Sequence, residues 1–335
     1  MLSPAHRFRC SIAMPLLIGM ATTQVPAQGW AQPAWQPEKP VEVIVPTGAG
    51  GINDQNARLI QKSLQDQKFP VPVVTMNKAG GNQSLAVLYL HQHPADPHYL
   101  LYATATVFTN QLAGLAIPRY TEMTPLALLL VDYSVITVAA GSPMKGMRDL
   151  VDRLKADPES IAFGVVARGG PNHLALAQGV RSGGADARKL KLVVFKTNAE
   201  SMTAVMGGHI HAVVSSVSAA LPQVLAGNTR ILAVAAPQRV GGNMANVPTM
   251  REQGINATGI SNWRGIFAPK GITPAQIAFW EDALAKTVAT EEWKSQLETN
   301  NLVSRFLRSR DFAKYLEGEY GDTRSVMTDL GLLKQ

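Results

Sequence analysis

Cysteine is almost missing from this chain: Cys10 is the only one among 335 residues. A disulfide framework and a cysteine-built metal site are thereby excluded. Aromatic residues make up 6% and charged residues 16%, and no lysine or arginine block is interleaved with aromatics, which speaks against nucleic-acid binding. No repeat period, low-complexity linker, or composition typical of disorder, collagen or coiled coils is present. The G-x-S-x-G elbow of α/β hydrolases does not occur. Ser142-Pro143-Met144-Lys145 matches S-x-x-K but lacks the companion signatures of that hydrolase class. The seven histidines include the pairs His91/His93 and His209/His211. Their i, i+2 spacing suits one face of a strand, and no carboxylate or cysteine stands beside them at metal-ligand spacing, so they read as surface or core residues and no metal or cofactor is expected.

What is present is apolar bulk. At 46% hydrophobic residues, the chain is long enough for two domains with separate cores. Its first thirty or so residues stand apart: His6, Arg7 and Arg9 precede an apolar run from Ile12 to Ala21, and small residues follow. That is the layout of a secretory signal peptide, with exits after Ala27 or Ala31; the segment assigned to it is 1–31. The apolar run is too short for a membrane-spanning anchor and contains Pro15. Cys10 lies inside this segment and is not preceded by the small apolar residues of a lipidation site. The mature chain is therefore expected to be periplasmic and free of thiols, disulfides and lipid. Losing Arg7 and Arg9 lowers the formal charge from +7 to +5, a mildly basic balance that favours capture of anions.

Pro33, Pro37 and Pro40 form an extended lead-in to Val41–Val45, which is apolar except at Glu42. Such runs suit parallel strands covered on both faces. Similar runs follow at Val71–Val74, Tyr99–Thr104, Val135–Ala139, Ile161–Val166, Leu192–Phe195, His211–Val214 and Ile231–Ala235. Helical patterns lie between most of them: Ala57, Ile60 and Leu64 share one face, and Thr273 with Gln276 makes a capping box before the face Ile277, Trp280, Leu284 and Val288. Pro274 takes the first helical position. Alternating strands and helices imply parallel α/β architecture, and the length suggests two such sheets. The stretch Met123–Ala140 is apolar over nearly the length of a membrane span, but Asp132, Tyr133 and Ser134 interrupt it and Pro125 opens it, so it reads as two buried segments.

Three glycine loops follow strands of this kind. In Thr47-Gly48-Ala49-Gly50-Gly51-Ile52-Asn53-Asp54, glycines allow close backbone approach and the next helix leaves its first N–H groups unpaired, a combination that can hold a carboxylate or phosphate. The lysine and hydroxyl of a P-loop are missing, and Asn53 stands where a dinucleotide fingerprint needs its third glycine. A small anion is left, or simply a tight turn with Asn53 or Asp54 as helix N-cap. The second loop is Asn77-Lys78-Ala79-Gly80-Gly81-Asn82, and the third is Arg168-Gly169-Gly170-Pro171-Asn172-His173. Ligands of open α/β sheets gather at the carboxyl ends of strands, so three such loops together favour an anion site.

The order of these motifs resembles the periplasmic substrate-binding proteins of tripartite tricarboxylate transporters, the Bug receptor family. The resemblance covers essentially the whole mature chain. It rests on Lys39-Pro40-Val41 leading to Val45-Pro46, Ala49-Gly50-Gly51 with Asp54 and Arg58, Asn77-Lys78 with Gly80-Gly81, and Gly169-Gly170 with Asn172-His173. Gly207-Gly208-His209, Ala226-Gly227, Arg230 with Leu232-Ala233-Val234, Val247-Pro248-Thr249 with Glu252 and Gly254, and Trp263 with Gly265 before Ala268-Pro269 continue it. Thr47 stands where Phe is often found, the second loop lacks a proline and a glycine common after Asn-Lys, and Trp263-Arg264-Gly265 replaces a frequent Trp-Phe-Gly.

The resemblance implies a type II, Venus-flytrap periplasmic-binding-protein fold, with two α/β domains joined by two crossing strands. Domain 1 would be residues 33–135 plus 262–335, and domain 2 residues 136–261. It also implies a non-enzymatic receptor, expected as a monomer, that binds a small di- or tricarboxylate or related organic acid in the cleft and passes it to membrane permease subunits. The alternatives are a sensing receptor with a signalling partner and an α/β hydrolytic enzyme. Expected carboxylate contacts are Thr47, Gly48, Ala49, Gly50, Gly51 and Asn53, with Gly80 and Gly81. Arg168, Gly169, Gly170, Asn172 and His173 would engage the distal end, and Thr104, Thr197, Asn198 and Ser215 complete the set. Asp54 carries the wrong charge for an anion ligand and is expected to brace the first loop.

Overall fold

In the computed structural model, the described residues are 1–2, 35–257 and 260–333. All but the first two residues of the segment read as a signal peptide lie outside them, as does Cys10. The fold is that of the compact unit beginning at Trp35.

Strands are numbered in chain order. β1 (Val41–Val45), β2 (Val73–Asn77), β3 (Tyr99–Thr104) and β4 (Met123–Asp132) build one sheet with β10 (Asn262–Pro269) and β11 (Val303–Arg308), in the order β11-β4-β10-β3-β1-β2. The second sheet, β7-β6-β8-β5-β9, takes β5 (Ser134–Ala139), β6 (Ala162–Val165), β7 (Lys191–Val194), β8 (Ala212–Ser216) and β9 (Thr229–Ala235). The parallel pairing expected from the apolar runs holds for β1 with β2 and β3 and for β6 with β7 and β8, but not throughout. β10 is antiparallel to both β3 and β4, β11 is antiparallel to β4, and β5 is antiparallel to both β8 and β9. The reversals occur where the chain enters the second sheet and returns from it.

Most apolar runs became strands because they are covered on both sides. In β1, Val41, Val43, Ile44 and Val45 are fully buried, and Glu42 accepts a hydrogen bond from the Tyr89 hydroxyl. The second strand begins later than its apolar run suggests. Pro70 and Pro72 have no N–H to give a ladder, and pairing with β1 runs from Val73 to Asn77. β10 and β11 were not anticipated, since Arg264 and Gly265 interrupt the apolar pattern of one and Ser304, Arg305 and Arg308 that of the other. The stretch Met123–Ala140 divides at Tyr133 into β4 and β5, as its polar centre predicts, and no helix among the described residues is long and apolar enough to cross a membrane.

The helices bury the faces read from their periodicity. Ala57, Ile60 and Leu64 of α1 (Ile52–Asp66) are fully buried. The last three helices of the chain are α8 (Pro274–Ala289), α9 (Glu291–Thr299) and α10 (Ser309–Asp329). The predicted capping box opens α8, with Thr273 N–H donating to Gln276 Oε1 at 2.7 Å and Gln276 N–H to Thr273 Oγ1 at 3.3 Å. Trp280 in that helix is fully buried and donates to the Pro97 carbonyl at 2.9 Å. α10 packs its Phe312 and Leu316 with residues of the first sheet, while its end contributes Val326 and Met327 to the apolar cluster of the second sheet and pairs Asp329 with Arg181.

His91 ends the helix α2 (Ser84–His91) and His93 lies in the turn beyond, stacked on Tyr99 with ring centroids 3.6 Å apart. The i, i+2 pair therefore does not lie on a strand, because the apolar residues Leu85–Leu90 carry a helix up to it. His211 Nδ1 accepts the Ala162 N–H at 2.9 Å, a structural bond.

Candidate functional site

Strand direction decides where the loops go. β1, β2 and β3 are parallel, and β4 runs with them because β10 is antiparallel to both β3 and β4. Their carboxyl ends, Val45, Asn77, Thr104 and Asp132, therefore share one edge of the first sheet, which also holds the start of β10 with Asn262 opposite Asp132. In the second sheet the ends of β6, β7, β8 and β9 share an edge with Ser134, the first residue of β5. Tyr133, the single residue between β4 and β5, joins the two edges. Its carbonyl accepts the Val217 N–H at 2.9 Å. Across the same junction Asp132 Oδ2 accepts the Ser218 hydroxyl at 2.7 Å, where α7 (Val217–Leu225) begins.

The first loop is held from below. α1 has Gly51 as its N-cap, with no side-chain capping bond, which corrects the expectation of Asn53 or Asp54 there. Asp54 sits at the third helical position, where its carboxylate can reach back into the loop. It accepts from Gly50 N–H, Arg58 Nε and Asn77 Nδ2, each at 2.9 Å. The hydrogen bond from Arg58, helped by those from Gly50 and Asn77, holds its carboxyl down at about 2 against the opposing effect of burial. Asn77 Nδ2 also donates to the Thr47 carbonyl at 3.0 Å. The exposed Gly48, Ala49 and Gly51 N–H groups have no partner among the described residues, whereas that of Gly50 is taken by Asp54. Gly50 itself has φ +84°, which only glycine adopts without strain.

Asn53 is tied downward. Its Oδ1 accepts from Arg264 Nε at 3.0 Å, and Arg264 Nη1 donates to the Asn262 carbonyl at 2.8 Å, to Asn262 Oδ1 at 2.6 Å and to the Trp263 carbonyl at 3.2 Å. Arg264 is only 8% exposed. It was not among the expected site residues, although a lone arginine in the apolar run Asn262–Pro269 is a visible signal.

The second loop passes through left-handed backbone at Gly81, Asn82 and Gln83 (φ 55°, 50° and 75°) before α2 starts. Side chains pin this turn. Asn82 exchanges hydrogen bonds with Asn110 of α3 (Thr106–Leu112), through Nδ2 to Oδ1 at 2.6 Å and from Asn110 Nδ2 to its carbonyl at 2.5 Å. Gln83 accepts from Thr104 Oγ1 at 2.7 Å and donates to Thr106 Oγ1 at 3.2 Å. Thr104 is thus committed to the loop. The N–H groups of Gly80 and Gly81 have no partner among the described residues.

The third loop is more self-contained. Gly170 is the N-cap of α5 (Pro171–Ser182), with Pro171 in the first turn, and Gly169 adopts φ +78°. Gly169 N–H donates to His173 Nδ1 at 2.9 Å and Gly170 N–H to the Ala167 carbonyl at 3.3 Å. Burial, with the charge of Arg168, pulls the His173 imidazole down to about 4, so it is neutral where it accepts this bond. Asn172 Oδ1 accepts from Ser134 Oγ at 2.7 Å. Arg168 is exposed, and with Gly169, Gly170, Asn82, Thr106 and Asn110 it lines a cavity of about 210 Å³ between the second and third loops.

The remaining expected residues divide. Thr197 caps α6 (Asn198–Met206) by accepting from Glu200 N–H, while Asn198 Oδ1 is buried without a partner among the described residues. Ser215 is fully buried in β8 and donates to the Ser216 carbonyl at 3.3 Å. Thr47 Oγ1 and Ser84 Oγ are likewise buried and unpartnered. Ser84 and Asn110 carry no signal of this kind in the sequence, and Asn82 and Asp132 show there only as a loop residue and as a break in an apolar run, because only the pairing of distant strands and loops brings them to these edges.

Two mixed α/β sheets joined at their carboxyl edges form a two-domain fold of the periplasmic-binding-protein kind. A TctC solute-binding protein from Polaromonas, described as having no ligand, matches 88% of this chain and 99% of its own with TM-score 0.78 at 24% identity. An R. palustris protein with adipate matches 88% and 98% with TM-score 0.73 at 23% identity. MatC from Rhodopseudomonas palustris with bound malate matches 87% and 99% with TM-score 0.70 at 20% identity. Residues 56–332 match the tripartite tricarboxylate transporter family receptor, TctC. The chain belongs to that family, which is one of solute receptors and not of enzymes. Among its relatives, the "UPF0065 protein in gbd 5'region" of Cupriavidus necator is 26% identical over 330 residues, covering 95% of this chain and 94% of the relative. Protein BugT of Bordetella pertussis is 26% identical over 270 residues, covering 78% and 81%.

Proposed function

We propose that this protein is a periplasmic receptor that closes on a small di- or tricarboxylate and delivers it to the permease subunits of a tripartite tricarboxylate transporter, acting as a monomer. The observation that carries this reading is the placement of free loop N–H groups and Arg168 at carboxyl edges that meet at Tyr133. Backbone N–H groups at the start of a helix hold a carboxylate without needing a charged side chain. The unpaired N–H groups of Gly48, Ala49, Gly51, Gly80 and Gly81 favour the first sheet as the primary anion holder. The third loop uses its own N–H groups internally and offers Arg168 instead. Adipate and malate in the two R. palustris neighbours agree with this ligand class.

In this reading, domain 1 comprises residues 33–135 plus 262–335, domain 2 comprises 136–261, and the hinge lies at Tyr133 and just before Asn262. Closure would bring Arg168 toward a ligand already seated on the first two loops, and the closed form would be what the permease recognises. The signal peptide, cleaved after Ala27 or Ala31, would deliver the chain to the periplasm.

The test is native mass spectrometry of the mature protein for a co-purified acid, followed by a thermal-shift panel of malate, adipate, citrate and their amides. A rise in melting temperature with acids but not amides supports the reading. Equal response to acids and amides, or none to either, refutes it.

A further inference from the structure

Arg264 is buried beneath the first glycine loop, and every acceptor it has is neutral: Asn53 Oδ1, the Asn262 carbonyl and Oδ1, and the Trp263 carbonyl. Nη2 makes no hydrogen bond among the described residues. An interior guanidinium normally answers to a carboxylate, because desolvating a charge without a counter-charge is costly. The carboxylate that shares this end of the sheet, Asp132, lies two register positions away on β4, opposite Asn262, and the charge of Arg264 acts on it through space. Its Oδ2 is taken by Ser218, and among the described residues it makes no direct contact pair with Arg264, so the guanidinium has no carboxylate on its own N–H groups. Arg264 nevertheless stands at the carboxyl edge of the first sheet, opposite Leu130 of β4 and Thr104 at the end of β3. Through Asn53 it is fixed to the helix whose preceding loop offers the free Gly48, Ala49 and Gly51 N–H groups. Two bonds to Asn262 and one to Asn53 orient the guanidinium plane before any ligand arrives.

We infer that Arg264 is the specificity-determining residue of this receptor, donating through Nη2 to an anionic oxygen of a carboxylate seated on loop 47–51. This assignment rests on the carboxylate-receptor reading and deepens it. The fixed cation would make the first-domain half of the site select a fully ionised carboxylate over its amide or ester. Arg168, exposed on the opposite loop, would then read the other end of a diacid.

Titration calorimetry with malate and adipate, each paired with its diamide, tests this on the wild type, Arg264→Gln and Arg264→Lys. Circular dichroism melts check that each variant folds. The wild type should prefer the better-bound diacid to its diamide at least tenfold. Arg264→Gln should weaken the diacid by about 10- to 100-fold, the range for one charge-assisted hydrogen bond, and leave the diamide within about twofold. Arg264→Lys keeps the charge and the fold but loses the planar fork, and should fall between the two. Unchanged diacid affinity in the glutamine or lysine variant overturns the assignment while the receptor reading stands. Equal weakening of diacid and diamide makes Arg264 a loop support only and also overturns it. A wild type that binds neither diacid removes both the reading and the assignment.

Discussion

Asp54 and Asn77 stand 23 positions apart in sequence, and their side chains meet at 2.9 Å, tying the first glycine loop to the end of the second strand. The same Asn77 amide group holds the Thr47 carbonyl, so one carboxylate and one amide set the shape of the loop from beneath. Asp54 could not do this as an N-cap. At the third helical position its oxygens reach Gly50 N–H and Asn77 together.

Asp54→Asn should weaken folding and carboxylate binding together. The folded carboxyl, lowered to about 2 chiefly by Arg58 and then by Gly50 and Asn77, sits below its unfolded value of 3.8. Its contribution is therefore present above pH 3.8 and lost as pH falls through about 2. Arg58 is about half exposed, so screening reduces the effect to on the order of 1–2 kcal/mol. Urea melts of both proteins at pH 6 and near pH 2 should differ at the first pH and converge at the second.

His173 should make the third loop acid-sensitive. Burial, then Arg168, lowers its folded value to about 4 from an ordinary 6.5. The unfolded imidazole thus takes up its proton first as pH falls. Stability from this group is complete above pH 6.5, declines as pH drops and is lost on passing about 4, by on the order of 2–3 kcal/mol. In His173→Gln, which can still accept the Gly169 N–H, urea titrations between pH 7 and 4 should have a flatter slope than the wild type.

Arg168→Ala should lower affinity for a bound diacid by about 1.5–3 kcal/mol, the worth of a hydrogen bond to a charged group. It should barely change the melting temperature of the free protein, because the side chain is exposed and makes no ion pair among the described residues. Calorimetry with whichever acid stabilises the wild type measures the first quantity. Unchanged affinity would remove Arg168 from the site.

Gly265→Ala should destabilise the fold outright. A Cβ there would lie 2.9 Å from the Ala127 carbonyl oxygen on β4 and would collide with the Phe312 ring of α10. The neighbouring backbone belongs to paired strands and cannot give way cheaply, so the cost should be about 1–3 kcal/mol. A denaturant midpoint equal to that of the wild type would contradict the close packing of β10 against α10.

Local sequence determined a good deal. The apolar runs at Val41–Val45 and Tyr99–Thr104 are strands as read, and the capping box at Thr273 starts its helix, because burial period and cap chemistry act over neighbouring residues. The glycine loops were visible for the same reason: Gly50, Gly80, Gly81 and Gly169 take a positive φ, which glycine adopts most readily. Arg264 was visible only as an oddity in an apolar run. What it touches depends on β10 lying between β3 and β4, a pairing between strands more than a hundred residues apart in sequence. Likewise, nothing local shows that Thr104 Oγ1, Asn172 Oδ1 and His173 Nδ1 bond to Gln83, Ser134 and Gly169. Sequence by itself indicated most of the strands, the capped helix at Thr273 and the glycine loops, since those follow from local sterics and periodicity. Only the tertiary structure decided which N–H groups stay free and which cation is buried among them, because hydrogen-bond partners and desolvation are properties of surfaces brought together by folding.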